Sequence, residues 1–112
     1  MRSILQNEPP VIAGQKQGVC FLCMMEEEDR STHRLEEHHI FGGPLRKKSE
    51  EYGLKVYLCK KHHTGNIDGV RESVHHPEYN DYGLKLKKIA QRAFEKEYSR
   101  GQFIQEFGRS YL

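Results

Sequence analysis

Two short motifs, Cys20-Phe21-Leu22-Cys23 and Cys59-Lys60-Lys61-His62, set the terms on which this chain can fold. A gap of two residues lets both side chains of a turn reach one tetrahedral ion, and the two pairs together make a Cys3His set of the kind that holds structural zinc. The set uses every cysteine in the chain, and an odd cysteine count argues for thiolate ligands rather than a disulfide framework. A redox role for the CxxC pair would need a thioredoxin-like βαβ context, which the sequence lacks. A domain of 112 residues buries only about 60 to 68% of its unfolded surface. With 36% apolar residues, 30% charged residues and no tryptophan, a large sandwich or barrel core is hard to supply, and a metal staple is the natural supplement.

The segment 1–18, with Pro9-Pro10 and Gly14, shows no sustained apolar periodicity and reads as an N-terminal arm. The zinc-stapled unit is expected over 19–78. Glu26 to Asp29 reads as a solvated turn, Arg34 to Phe41 as a short strand ended by Gly42-Gly43-Pro44, and Arg46 to Tyr52 as a polar loop. Leu54 to Leu58, with Val56 and Tyr57 favouring extended backbone, forms a second strand that runs into Cys59, and Lys60 to Gly65 a short helix or turn. Over 79–112, Leu86, Ile89, Ala90, Ala93, Phe94 and Tyr98 recur at spacings of three and four, the face of a helix. Ser99 followed by Gln102 has the form of a capping box, opening a second helix with Phe103, Ile104 and Phe107 before Gly108. Core packing accounts for these aromatics. The expected class is therefore α+β: a small zinc-stapled domain followed by C-terminal helices packed on it.

His63 follows the zinc ligand His62, and neighbours on a helix point about 100° apart, so the two seldom serve one ion. Upstream, Glu37-His38-His39-Ile40 ends the first strand, where the following glycines would let consecutive side chains escape strict alternation. The order of strand, histidine pair, loop, strand, and helix with a further histidine resembles the HNH endonucleases, the ββα-metal or His-Me finger family, in particular their zinc-stapled, phage-associated members. The match covers about residues 20 to 76. It implies a metal-dependent DNA endonuclease of phage or prophage origin, in which His38 is a metal ligand, His39 the general base that activates water, and His63 a second ligand. His62 stands where many members carry a zinc cysteine. The family's middle Asn has no counterpart, since no Asn occurs between His39 and His63. A third ligand is expected from His75, with Asn66 behind it.

Phosphodiester hydrolysis needs an activated water and charge neutralisation on the phosphate, which one imidazole base and one divalent ion (Mg²⁺, Mn²⁺, Ni²⁺ or Zn²⁺) can provide. Arg46, Lys47, Lys48, Lys60, Lys61 and Arg71 lie near these motifs as candidate DNA phosphate contacts. The formal charge of +2 does not by itself demand a nucleic-acid partner. No apolar run approaches the roughly 20 residues of a membrane span, and Met1 to Pro10 lacks the apolar core of a signal peptide, so the expected location is the cytoplasm of a bacterial or phage-infected cell. The principal alternative is a non-catalytic zinc module that binds DNA or a protein.

Overall fold

The computed structural model describes residues 2–64, 73–75, 77–78 and 80–112. Among them the chain is α+β, with four antiparallel strands in the order β1-β2-β3-β4 and five α-helices. Strands β1 (Val11–Ile12) and β2 (Gln15–Val19) form a hairpin whose two turn residues, Ala13 and Gly14, both hold positive φ, at 51° and 77°. Such a turn matches the natural twist of paired strands. Thus the region expected as an unstructured arm supplies an edge of the sheet instead. Its remaining part, Ser3 to Gln6, seals the opposite edge. The Ile4 amide donates to the Gly53 carbonyl at 2.9 Å, the Gln6 Oε1 accepts from the Tyr57 amide at 2.8 Å, and the Ser3 hydroxyl donates to the Lys55 carbonyl. Gly53 is required for that strap: its φ is +69°, and an added Cβ would lie 2.5 Å from the Arg2 carbonyl oxygen. A covered edge strand also cannot recruit a foreign strand.

Helix α1 (Phe21–Glu27) starts at Cys20 and ends on Glu28 in the left-handed region, so half of the acidic run belongs to the helix. β3 (Thr32–His39) and β4 (Lys55–Cys59) are the two expected strands, paired from Leu35↔Cys59 to His39↔Lys55. The stretch expected as a polar loop is α2 (Arg46–Glu51), entered through a 3-10 turn at Gly43–Leu45. Its one buried residue, Ser49, explains why a polar sequence coils here: the hydroxyl accepts from the Phe41 amide at 3.2 Å and donates to the Leu54 carbonyl at 2.6 Å. α3 (Lys60–His63) follows β4 directly. β3, β4 and α3 thus run in succession through the chemistry-bearing part of the chain.

α4 (Tyr82–Glu97) and α5 (Arg100–Phe107) match the two helices read from apolar spacing. The Ser99 hydroxyl caps α5 by accepting from the Gln102 amide at 3.0 Å. Their inner faces build an aromatic cluster in which the Phe41 and Phe107 ring centroids are 4.6 Å apart and those of Phe103 and Phe107 are 4.8 Å apart. Buried Gln91 spans this region with its amide satisfied by Glu95, Ser110 and the Tyr111 amide. No described helix is long and apolar enough to cross a membrane.

Candidate metal centres

The first centre is built where α1, β4 and α3 meet. Cys20 caps α1 and Cys23 lies one turn inside it; Cys59 ends β4 and His62 sits in α3, so a knuckle, a strand end and a helix each deliver ligands to one point. All four residues are buried and their ligand atoms lie within 4.8 Å of one another. The His62 Nδ1 is 3.5, 3.4 and 3.5 Å from the sulfurs of Cys20, Cys23 and Cys59, and Cys23 Sγ is 3.7 Å from Cys59 Sγ. Zinc bonded to sulfur at about 2.3 Å and to nitrogen at about 2.0 to 2.1 Å gives tetrahedral edges of about 3.6 Å for S···N and about 3.8 Å for S···S. The observed separations are those edges, so the four residues fit a zinc ion without rearrangement.

The protein groups by themselves hold the three thiols unequally. The Cys20 thiol, engaged with Cys59 and buried, is held far above the ordinary thiol range, and burial pushes Cys23 up to about 11. Cys59, hydrogen-bonded by Cys20, is pulled down to about 3. The protein groups alone thus favour a single thiolate, whereas a dication among them makes all three sulfurs anionic. His62 Nε2 is buried without a hydrogen-bond partner and points toward Glu27 Oε1 at 3.6 Å.

The second group joins His38 from β3, His63 from α3 and His75 from the segment that returns to α3. Their ligand atoms lie within 4.8 Å of one another, with ring centroids 5.3 Å apart for His38–His63, 5.8 Å for His38–His75 and 5.2 Å for His63–His75. Burial, reinforced by the neighbouring His63 and His75, drives the His38 pKa down to about 3, which leaves its imidazole neutral with a lone pair to offer. His63 Nδ1 donates to Glu36 Oε1 at 3.1 Å, leaving Nε2 as the nitrogen available to a ligand. Asn66, the other candidate for the third position, lies outside the described residues.

His39 does not join this group. β3 continues through His39, paired with Lys55, so alternation holds and consecutive histidines emerge on opposite faces. The expected relaxation by glycines fails because Gly42 and Gly43 come after the last ladder pair. On its own face His39 Nε2 lies 3.4 Å from Glu37 Oε1 and 3.6 Å from Glu50 Oε2, and Lys55 Nζ lies 3.4 Å from Glu37 Oε2 and 2.7 Å from Glu50 Oε2. Glu37, His39 and Glu50 also form the floor of a cleft walled by Gly43, Pro44, Arg46 and Lys47.

The candidate phosphate contacts separate accordingly. Arg46 and Lys47 are exposed at the His39 cleft. Lys48 is paired with Glu106 of α5 at 3.2 Å, and Lys61 with Glu27 at 3.0 Å, both remaining partly exposed. Lys60 and Lys61 line a shallow depression with Arg34 beside the zinc centre, and Arg71 lies outside the described residues. Reading the sequence missed Glu36, Glu37, Glu50 and Ser73. Strand alternation through Leu35-Glu36-Glu37-His38-His39 carries enough signal to put Glu36 beside His38 and Glu37 beside His39, whereas nothing in the sequence marks Glu50 or Ser73. No family model, curated protein or solved structure matches the chain.

Proposed function

We propose that the chain is a metal-dependent endonuclease of the HNH type that hydrolyses phosphodiester bonds in DNA, with a structural zinc in the Cys3His centre. The observation that carries the reading is the convergence of His38, His63 and His75, from β3 and the α3 region, directly beside a zinc-shaped centre. In this reading the three histidines hold the catalytic ion. Imidazole-rich ligation favours Mn²⁺, Ni²⁺ or Zn²⁺, while Mg²⁺ prefers oxygen. When bound, the ion neutralises charge on the scissile phosphate and on the leaving oxygen. His38, kept neutral by burial, binds at physiological pH without first losing a proton. His39 takes the proton from the attacking water, and Arg46 and Lys47 hold phosphates at the mouth of its cleft. Because β2 pairing ends at Arg34, β3 from Leu35 to His39 has ladder bonds on its β4 side. Its other edge is where one phosphate can meet His38 from one face and His39 from the other. Phage or prophage origin follows from the HNH resemblance alone.

The position of His39 across the strand from the three histidines favours a second reading, a non-catalytic zinc module that binds DNA or a protein. Nicking of supercoiled plasmid separates the two. The endonuclease reading expects nicking with added Mn²⁺ or Mg²⁺, its arrest by chelation of the added ion, and its loss in His38→Ala and His63→Ala with zinc content kept. Plasmid binding with no nicking under any divalent ion would leave the module.

A further inference from the structure

We propose that Glu36 and Ser73 are the positioning residues that hold the three-histidine group in a metal-ready arrangement; this rests on the reading of that group as an ion site. Glu36 lies on the same face of β3 as His38, two residues earlier, and its carboxylate accepts the proton-bearing Nδ1 of His63 at 3.1 Å. That contact does two things at once. It fixes the tautomer, so that the lone pair sits on Nε2, and it fixes the rotation of the ring. A carboxylate behind a ligating imidazole also raises the basicity of the coordinating nitrogen, and loss of such a partner typically weakens metal binding by about 10- to 100-fold.

Ser73 solves a different problem. A helix of four residues leaves its terminal carbonyls without partners of its own, and the returning segment docks on those groups. The Val74 amide donates to the His62 carbonyl at 2.8 Å. The Ser73 hydroxyl donates to the His63 carbonyl at 2.6 Å and accepts from the His75 amide at 3.0 Å. Ser73 is fully buried, and its own carbonyl accepts from the Asn80 side chain at 2.9 Å. With the Val74 amide, this hydroxyl sets the distance between the backbones that carry two of the three imidazoles. His75 is the exposed member of the group and the one supplied by an irregular segment, and its amide is held by this bridge. The same stitching links the two centres, since the residue next to Ser73 hangs from the zinc ligand His62.

The test is Mn²⁺ titration of the zinc-loaded full chain by calorimetry, with zinc content and thermal melting measured in parallel. His63→Ala serves as the variant that removes a ligand. Glu36→Ala is expected to weaken Mn²⁺ by about 10- to 100-fold, and Glu36→Gln, which keeps an acceptor oxygen, to recover most of that loss. The His63 ring nitrogens, read by NMR before Mn²⁺ is added, should carry the proton on Nδ1 in wild type and in Glu36→Gln, and a mixture of tautomers in Glu36→Ala. Ser73→Ala should weaken Mn²⁺ in the same range with zinc retained. If alanine there unfolds the chain, Ser73→Thr, which keeps the hydroxyl, must bind Mn²⁺ as wild type does. Wild-type affinity in Glu36→Ala or Ser73→Ala, alongside lost affinity in His63→Ala, would overturn the positioning roles while leaving the ion site standing. Equal affinity in wild type and His63→Ala would overturn the ion site and this proposal with it.

Discussion

Removing the zinc should unfold one part of this protein and spare another. Stabilities of roughly 0.05 to 0.15 kcal/mol per residue put the whole 112-residue chain at about 6 to 17 kcal/mol, while a structural zinc contributes about 10 to 16 kcal/mol in small zinc-dependent folds. The ion is thus worth about as much as the net stability of the whole chain. The loss falls unevenly because the ligands sit on the elements least able to stand alone. α1 has seven residues and α3 has four, far short of the about 12 to 15 residues at which isolated helices become even marginal. α4, with sixteen residues, and α5 carry no zinc ligand and share an aromatic cluster with Phe41. Chelation, or Cys59→Ala, should therefore leave helical circular dichroism from α4 and α5. It should abolish the cooperative melt and erase amide-exchange protection across α1, β4 and α3. Zinc-free protein that melts cooperatively at the temperature of the untreated sample, with protection in α1 and α3 intact, would refute the reasoning.

Three further outcomes follow from particular contacts. Phe103 is fully buried against Phe94 and Phe107, so Phe103→Ala should cost about 3 to 5 kcal/mol by urea denaturation, and a loss below about 1 kcal/mol would mean that α5 is not part of the core. The hydrogen bond from Lys55 holds the Glu50 carboxyl below its ordinary value of 4.5, so its contribution is present above that pH and lost as pH falls below it. Burial alone would lower Lys55, but the Glu50 hydrogen bond and the charges of Glu37 and Glu50 outweigh it and raise the ammonium above 10.5. Its contribution is therefore present below 10.5 and lost as pH climbs through the raised value. Glu50→Gln should flatten the acid limb of melting temperature against pH, and an unchanged limb would show the pair to be inert. Finally, His39→Ala should keep zinc and DNA affinity yet lose about 10² to 10⁴ in cleavage rate, and cleavage at the wild-type rate would reject His39 as the base.

What could be read from the sequence follows from how tightly each feature constrains residue type. A tetrahedral ion accepts few side chains at few spacings, so Cys20, Cys23, Cys59 and His62 announced their centre. The apolar face of α4 repeats for four turns and was equally plain. The β1–β2 hairpin was not, because its strands lie at an edge with exposed Gln15 and Lys16 and need no apolar alternation. α2 escaped for a similar reason: only Ser49 faces inward, and a polar helix is written like a polar loop. The histidine pair is the instructive case. Period-2 geometry alone separates His38 from His39, and the expectation that glycines would bring them together failed because strand pairing with Lys55 outlasts the histidines and ends before the glycines begin. The strand thus sorts the four residues from Glu36 to His39 into two environments. Glu36 and His38 meet His63 and a third imidazole, where three ring nitrogens gather as a ligand set. Glu37 and His39 meet Glu50 and Lys55, where charges pair and an imidazole is held between carboxylates. The two differ in charge: Lys55 stands 2.7 to 3.4 Å from the carboxylates of the second, where it opposes a cation, while the first is built on imidazoles with Glu36 behind His63. If the chain cuts DNA, ion binding and proton transfer are divided across the thickness of one strand, and the phosphate has to bridge them at its open edge.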